Sequence, residues 1–314
     1  MQSSHKHKQM RLPQQSITPL ASNQFFTMTI HPAKETAFWP LHQDSPVGSQ
    51  LIAGRTLLDF QQQQAKGIEN AHQLENAWIT SEDWQMLAAS IEPIALKSTS
   101  GTLLAWAGNP DPKSCNNEVT ASESSFLIRY PWEFIQINED IVTSITEPDH
   151  KGEVSPAAHI DGVIHVGEGS NILPGVVIEG NIMIGKNCKI GPNCYLRGST
   201  TIGDDCHIGQ AVEIKNSIIG HGSSVGHLSY VGDSVIGNKV NFGAGTITSN
   251  LRHDGTNHRS LVCDSLIDTG RRKFGAIVGD GSHTGILTAI YPGRKLCPNA
   301  ITHPNDTVRT DILE

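Results

Sequence analysis

Residues 178–214 read IEGNIMIGKNCKIGPNCYLRGSTTIGDDCHIGQAVEI, and their spacing decides the fold. An aliphatic side chain returns every sixth position, at Ile178, Ile184, Ile190, Leu196, Ile202, Ile208 and Ile214. The same phase runs back through Ile172, Val166 and Ile160 to Val154. It slips by one before Ile219, Val225 and Val231, and again before Ile236 and Phe242. Gly often follows the aliphatic residue, and a small residue often sits four places on, as Ser170, Cys188, Cys194, Thr200 and Cys206 do. A period of six is neither that of a strand nor that of a helix. It describes short flat strands joined by tight corners, with one aliphatic side chain turned inward per side. Three sides make a coil of about 18 residues, and coils stack as parallel strands ~4.8 Å apart. So dense a recurrence of Gly excludes helix here.

Composition agrees with a thin core. The 314 residues are 37% hydrophobic and 17% charged. A formal charge of −8 argues against non-specific binding of nucleic acid. No apolar run approaches the ~20 residues of a membrane span. The start, MQSSHKHKQMRLPQQ, lacks the apolar centre of a signal peptide, so a cytoplasmic location is expected. Cys188, Cys194 and Cys206 occupy small-residue slots, which reads as packing, and no CxxC suggests zinc.

In chain order, residues 1–24 read as a polar disordered tail, in which His5 and His7 offer at most an adventitious metal site. Residues 25–145 hold all five tryptophans and read as a small α+β cap with its own core. Within it SEDWQMLAASI predicts a helix capped by Ser81. IALKSTSGTLLAWAG predicts a hairpin turning near Ser100-Gly101. Residues 109–125 read as a loop, and YPWEFIQINEDIV as a helix leading to the repeat. The β-helix is expected over 150–308, interrupted by a loop at 251–276 and resuming with Val278, Thr284, Ile290 and Leu296. The polar tail from His303 is expected to cover the last strand edge.

A solenoid is a frame, so chemistry rests on individual residues. Arg197 and Lys215 each follow an inward aliphatic residue and lie 18 apart, so they project from one side of successive coils. Two stacked cations call for an anion, and a phosphate suits them; two solvated surface cations would leave the same spacing. His227 falls on a different side and has the chemistry of a general base for an amine, although most histidines are structural. Tyr230 and Asn241 sit at corners from which side chains reach outward. Gly243-Ala244-Gly245 lets backbone N–H groups approach a ligand or a developing oxyanion.

The block YLRGSTTIGDDCHIGQAVEIKNSIIGHGSSVGHLSYVGDSVIGNKVNFGAGTITSN closely resembles the acetyltransferase domain of bifunctional N-acetylglucosamine-1-phosphate uridyltransferase/glucosamine-1-phosphate acetyltransferases. GHLSYVGD and NFGAGTITSN carry the likeness, which covers about 155–300. The resemblance implies a left-handed parallel β-helix, a trimer with sites between subunits, and acetyl-CoA as acyl donor. It implies N-acetylation of an amino-sugar 1-phosphate, a step of nucleotide-sugar and cell-envelope precursor synthesis. By the same resemblance Arg197 and Lys215 bind the sugar phosphate, His227 is the base, Tyr230 and Asn241 hold the sugar, and Ala244 with Asn250 line the acetyl-CoA site.

Two departures limit it. After Asn250 the bacterial pattern continues Tyr-Asp-Gly, whereas this chain has Leu251-Arg252-His253-Asp254-Gly255. Its longer insertion, with DTGRRKFGAIVGD, looks more like the archaeal-type enzymes. There Arg271, Arg272 and Lys273 read either as phosphate or CoA contacts or as a solvated turn. Upstream, no Gly-rich nucleotide loop precedes Glu153, so nucleotidyl transfer is expected to be absent. LHQDSPVGSQLIAGRTLLDF and NAWITSEDWQML resemble a degenerate remnant of that domain. The competing reading is a decayed trimeric scaffold binding a nucleotide sugar or a protein partner. A metal-dependent carbonic anhydrase on the same fold is disfavoured by the placement of His207, His221 and His227.

Overall fold

The computed structural model describes residues 28–31, 38–41 and 45–314. The N-terminal tail, with His5 and His7, lies outside the described residues. From Asp149 onward the chain winds into the expected left-handed hexapeptide β-helix. It has three parallel walls, of eight, seven and eight strands. Wall one starts at Asp149–His150, wall two at Glu153–Val154 and wall three at His159–Asp161. The inward column is buried almost throughout: Ile172, Ile178, Ile190, Leu196, Ile202, Ile208 and Ile214 are each 0% exposed.

The register explains both slips. Early coils span 18 residues, with Ile178 paired to Leu196 and Leu196 to Ile214. Later ones span 17, with Ile202 paired to Ile219 and Ile219 to Ile236. One residue is lost at the corner between walls three and one. An early coil turns this corner with Gly198 at φ +69°; the shortened corners use Asn216 at +48° and Asp233 at +50°. Asn and Asp tolerate the left-handed region because their short polar side chains bond locally. The small-residue slot also has a reason. Ser170 Oγ donates to Gly185 O at 2.6 Å, Cys188 Sγ to Gly203 O at 3.0 Å and Cys206 Sγ to Gly220 O at 3.2 Å. A hydroxyl or thiol there stitches each coil to the next; these cysteines are free and buried.

Wall one passes unbroken across the insertion, since Val235 pairs with Ile277 and Ile236 with Val278. The insertion carries a hairpin of Arg259–Val262 and Ser265–Asp268. It turns at Cys263 (φ +41°) and Asp264 (+65°), a two-residue reversal made without Gly. At the C-terminus Thr307–Val308 joins wall three, and Ile312 bridges to Leu296. The tail therefore adds to the last coil, as expected.

The N-terminal unit is a five-stranded mixed sheet ordered Thr29–His31, His72–Leu74, Leu103–Ala107, Ile94–Lys97 and Asn117–Thr120. Helices α1 (Leu57–Gln64), α2 (Ser81–Ala88) and α3 (Glu133–Thr143) accompany it. Two expectations need correction. Thr80, not Ser81, caps α2, its hydroxyl accepting from Asp83 N at 3.4 Å. The stretch 109–125 is not all loop: Asn117–Thr120 pairs in parallel with Ile94–Lys97 at the sheet edge. The predicted hairpin and the helix before the repeat are both present.

The unit packs on wall one. Trp132, Phe134 and Ile137 join Ile218, Val235 and Ile277 in one apolar cluster. Buried Asn138 pins the contact. Its Oδ1 accepts from Ala53 N at 2.9 Å and Thr201 Oγ1 at 2.6 Å, while Nδ2 donates to Ser199 O at 2.8 Å. Lys295 is 2% exposed, with Nζ 5.8 Å from the Trp39 ring centre and 5.6 Å from that of Trp132. Its ammonium donates to Leu261 O at 2.8 Å, joining cap, solenoid and insertion.

Candidate functional site

The sequence-predicted residues fall on two walls. Arg197, Lys215 and Tyr230 lie on wall three, and Asn250 follows its strand Ile247–Thr248. Arg197 and Lys215 are register partners, and Gly232 comes next in their column. Side chains two residues apart on a strand share a face, so Tyr195, Glu213 and Tyr230 form the parallel column beside them.

This neighbourhood changes the electrostatics expected of two bare cations. Arg197 gives Nε and Nη2 to Glu213 Oε1, at 2.7 and 2.6 Å. Lys215 Nζ lies 2.8 and 2.9 Å from the two oxygens of Asp233. The protein thus supplies its own counter-charges, and the stacked cations do not by themselves require an external anion. The two pairs differ in burial. Arg197 and Glu213 side chains are 34% and 32% exposed, whereas Lys215 and Asp233 are 14% and 2%. The Arg197 pair is open to exchange with a ligand, while the Lys215 pair belongs to the framework.

Asp233 is the hub. Besides Lys215 it accepts from Asn216 Nδ2 at 3.0 Å and Asn250 Nδ2 at 2.5 Å. The Asn250 amide also donates to the Tyr230 hydroxyl at 2.8 Å. Burial, with the Asp233 and Glu213 carboxylates nearby, pushes the Tyr230 phenol above its usual value, so it stays protonated. Gly232 leaves room for this arrangement, since a Cβ there would come within 2.3 Å of the Tyr230 hydroxyl and 2.8 Å of Asn250 Nδ2.

His227, Asn241 and Ala244 belong to wall two and to the corner that leads to wall three. The His227 ring is exposed, while its carbonyl accepts from Ser229 Oγ at 2.7 Å and Gly245 N at 3.0 Å. That fixes the backbone at the corner and leaves the imidazole clear. Ala244 follows in the next coil: Gly243 N is bonded to Thr284 O at 3.1 Å and Gly245 N to His227 O, so the Ala244 N–H stands between two committed neighbours. Asn241 pairs with Ser224, three residues before His227, so about 10 Å of strand separates it from the His227 end of the wall. One copy of the chain therefore joins Lys215, Tyr230 and Asn250 through Asp233, sets Arg197 beside them, and keeps His227 with Ala244 around the corner. It does not bring Asn241 to either group.

Sequence reasoning missed Glu213 and Asp233. Glu213 lies two residues before Lys215, which is a same-face signal on a strand. Asp233 marks a shortened corner. Arg271, read as a phosphate or CoA contact or a solvated turn, is not a solvated side chain: it is 15% exposed and grips Glu139 of α3. Among the described residues no group of three or more His, Cys, Asp or Glu is placed to hold a metal ion.

Residues 154–252 match the GMPPB C-terminal domain family. A bifunctional sugar-1-phosphate nucleotidylyltransferase/acetyltransferase of Sulfurisphaera tokodaii is 41% identical over 182 residues, which is 58% of this chain and 45% of that protein. The bifunctional protein GlmU of Methanococcus aeolicus is also 41% identical over 182 residues, covering 58% and 44%. The chain thus spans less than half the length of these relatives. Among solved structures, the UDP-N-acetylglucosamine acyltransferase of Francisella novicida aligns with 54% of this chain and 62% of its own, at 17% identity and a TM-score of 0.27. On the sequence identities, the C-terminal 58% of this chain is homologous to the GlmU-type bifunctional proteins.

Proposed function

We propose that the protein is an acetyl-CoA-dependent N-acetyltransferase acting on an amino-sugar 1-phosphate, glucosamine 1-phosphate or a near relative, and that it works as a homotrimer. The observation that carries this reading is the wall-three patch, in which Arg197 stands next to the Lys215, Tyr230 and Asn250 cluster, one corner away from the exposed His227. The phosphate would take the open side of the Arg197 guanidinium with Lys215 behind it, and Tyr230 would meet the sugar. Asn241, remote within one copy, would contact the sugar only across a subunit boundary. Ala244 and Asn250 would line the acetyl-CoA site.

Acetyl-CoA supplies an activated thioester carbonyl. His227 removes a proton from the sugar amine as its nitrogen attacks that carbonyl. The uncommitted Ala244 N–H is suited to the oxyanion. The C–N bond forms, the C–S bond breaks, and the proton held by His227 passes to the departing thiolate. No step requires a metal ion.

The trimer has support of its own. Leu228, Ile247, Ile286 and Leu287 are 66%, 41%, 52% and 57% exposed, and they lie around the corner between walls two and three. An exposed apolar ridge of this kind marks an interface. His227 immediately precedes Leu228, so a threefold contact along this ridge would set His227 of one copy against a cleft formed with the next. The N-terminal unit is not assigned nucleotidyl transfer.

The test is release of free thiol from acetyl-CoA with glucosamine 1-phosphate and other hexosamine phosphates, alongside sedimentation. The expected result is thiol release dependent on both substrates by a trimer. A folded trimer inert towards every hexosamine phosphate would instead favour a scaffold.

A further inference from the structure

The hub carboxylate Asp233 belongs to a closed ring of hydrogen bonds that leaves the β-helix and returns to it. Asn216 Nδ2 donates both to Asp233 Oδ1, at 3.0 Å, and to Glu139 Oε1 of α3. Glu139 takes both terminal nitrogens of Arg271, which comes from the insertion. The Arg271 carbonyl accepts from His258 N at 2.9 Å. His258 Nε2 lies 3.0 Å from Asn250 O, and the Asn250 amide returns to Asp233. Three parts of the chain distant in sequence, α3, the solenoid and the insertion, thus meet on the Glu139 carboxylate, one step from Asp233.

We propose that Glu139 and Arg271 are positioning residues for the anion and sugar site, acting through Asn216 and Asp233 on Lys215 and through His258 and Asn250 on Tyr230. This deepens the proposed function and rests on it. The physical argument is one of fixed donors. The Asn216 amide has two N–H groups, and Glu139 engages one while Asp233 takes the other. Without the Glu139 carboxylate the amide can rotate, and the Arg271 guanidinium, 15% exposed, loses its ion pair. Asp233 then has one less fixed donor, and the bidentate hold on Lys215 loosens. Asn250 depends on the same assembly, because its carbonyl also accepts from Phe274 N at 3.0 Å, at the end of the insertion. The insertion and the N-terminal unit would thereby set how well the site holds its sugar phosphate, without touching it.

The experiment compares Glu139→Gln, Arg271→Met and Arg271→Lys in the full chain. The first two are expected to raise KM for the amino-sugar phosphate about three- to tenfold, raise KM for acetyl-CoA by a smaller factor through Asn250, the one ring member shared with that site, and change kcat less than twofold. Arg271→Lys, which keeps the charge, is expected to restore most of the affinity. Amide hydrogen exchange gives a readout independent of turnover. In Glu139→Gln, exchange at Asp233 N and Gly275 N should quicken while the coil at Ile190 and Ile208 stays protected. Unchanged exchange at these two amides, or a KM unmoved in an active enzyme, overturns the proposal. A wild-type protein inert towards all amino-sugar phosphates, whose corner exchange still responds, would overturn the functional reading and leave the ring standing as a structural clamp.

Discussion

Arg197 and Lys215 are register partners on adjacent coils, yet each holds a carboxylate of its own, Glu213 for the arginine and Asp233 for the lysine. The pairs are not equivalent. A pair about one third exposed contributes little to stability and can exchange partners, whereas a buried one is costly to break from one side.

Lys215→Met strands the Asp233 carboxylate at 2% exposure with only amide donors left. A loss of about 3 kcal/mol is expected on removing one partner of such a pair. Adding Asp233→Asn should recover part of it, because the uncompensated charge goes too. Urea midpoints of the two single variants and the double variant check this; additive losses would show the pair is not coupled.

His227→Ala is expected to lower turnover by about two to four orders of magnitude with the melting temperature nearly unchanged. The ring is exposed and only its backbone is bonded, so no packing is lost. Arg197→Ala should act mainly on KM for the sugar phosphate. Near wild-type turnover in the histidine variant would remove the base.

Gly232→Ala places a methyl against the Tyr230 hydroxyl and the Asn250 amide, in the space that keeps them bonded. Tyr230 is expected to swing out, raising KM for the sugar phosphate about tenfold, on the order of 1.4 kcal/mol of binding. A crystal structure of the variant with Tyr230 unmoved would contradict this.

Asp83 should mark the acid limit of the N-terminal unit. Burial pushes its carboxyl up, but hydrogen bonds from Ser125, Ser122 and Thr80 outweigh it and hold the group below the usual range. A depressed folded value stabilises above the unfolded value of about 3.9, and that stabilisation is lost as pH falls through the folded one. Below about pH 4, stability of the wild type should therefore fall more steeply than that of Asp83→Asn. Denaturation curves at several acidic pH values measure the two slopes, and equal slopes would exclude the assignment.

Periodicity made the solenoid legible, down to the two slips, because one buried side chain per side leaves a mark that no other fold imitates. Arg197 and Lys215 were legible as neighbours for the same reason. Their carboxylates were not, since a spacing rule places side chains on a wall but says nothing of which partners they choose. The ring through Glu139 and Arg271 was beyond reach, because these two residues lie 132 positions apart and both outside the repeat. The strand at Asn117–Thr120 was hidden by its Pro- and Asn-rich surroundings, and the cap of α2 was misplaced by one hydroxyl residue.

Wall one closes over the insertion as though nothing had been added between Ile236 and Val278. A tower whose storeys rest only on those directly above and below can receive a balcony at any landing without being redesigned. That landing is where an engineer could graft a different segment, provided the newcomer brings its own Arg271.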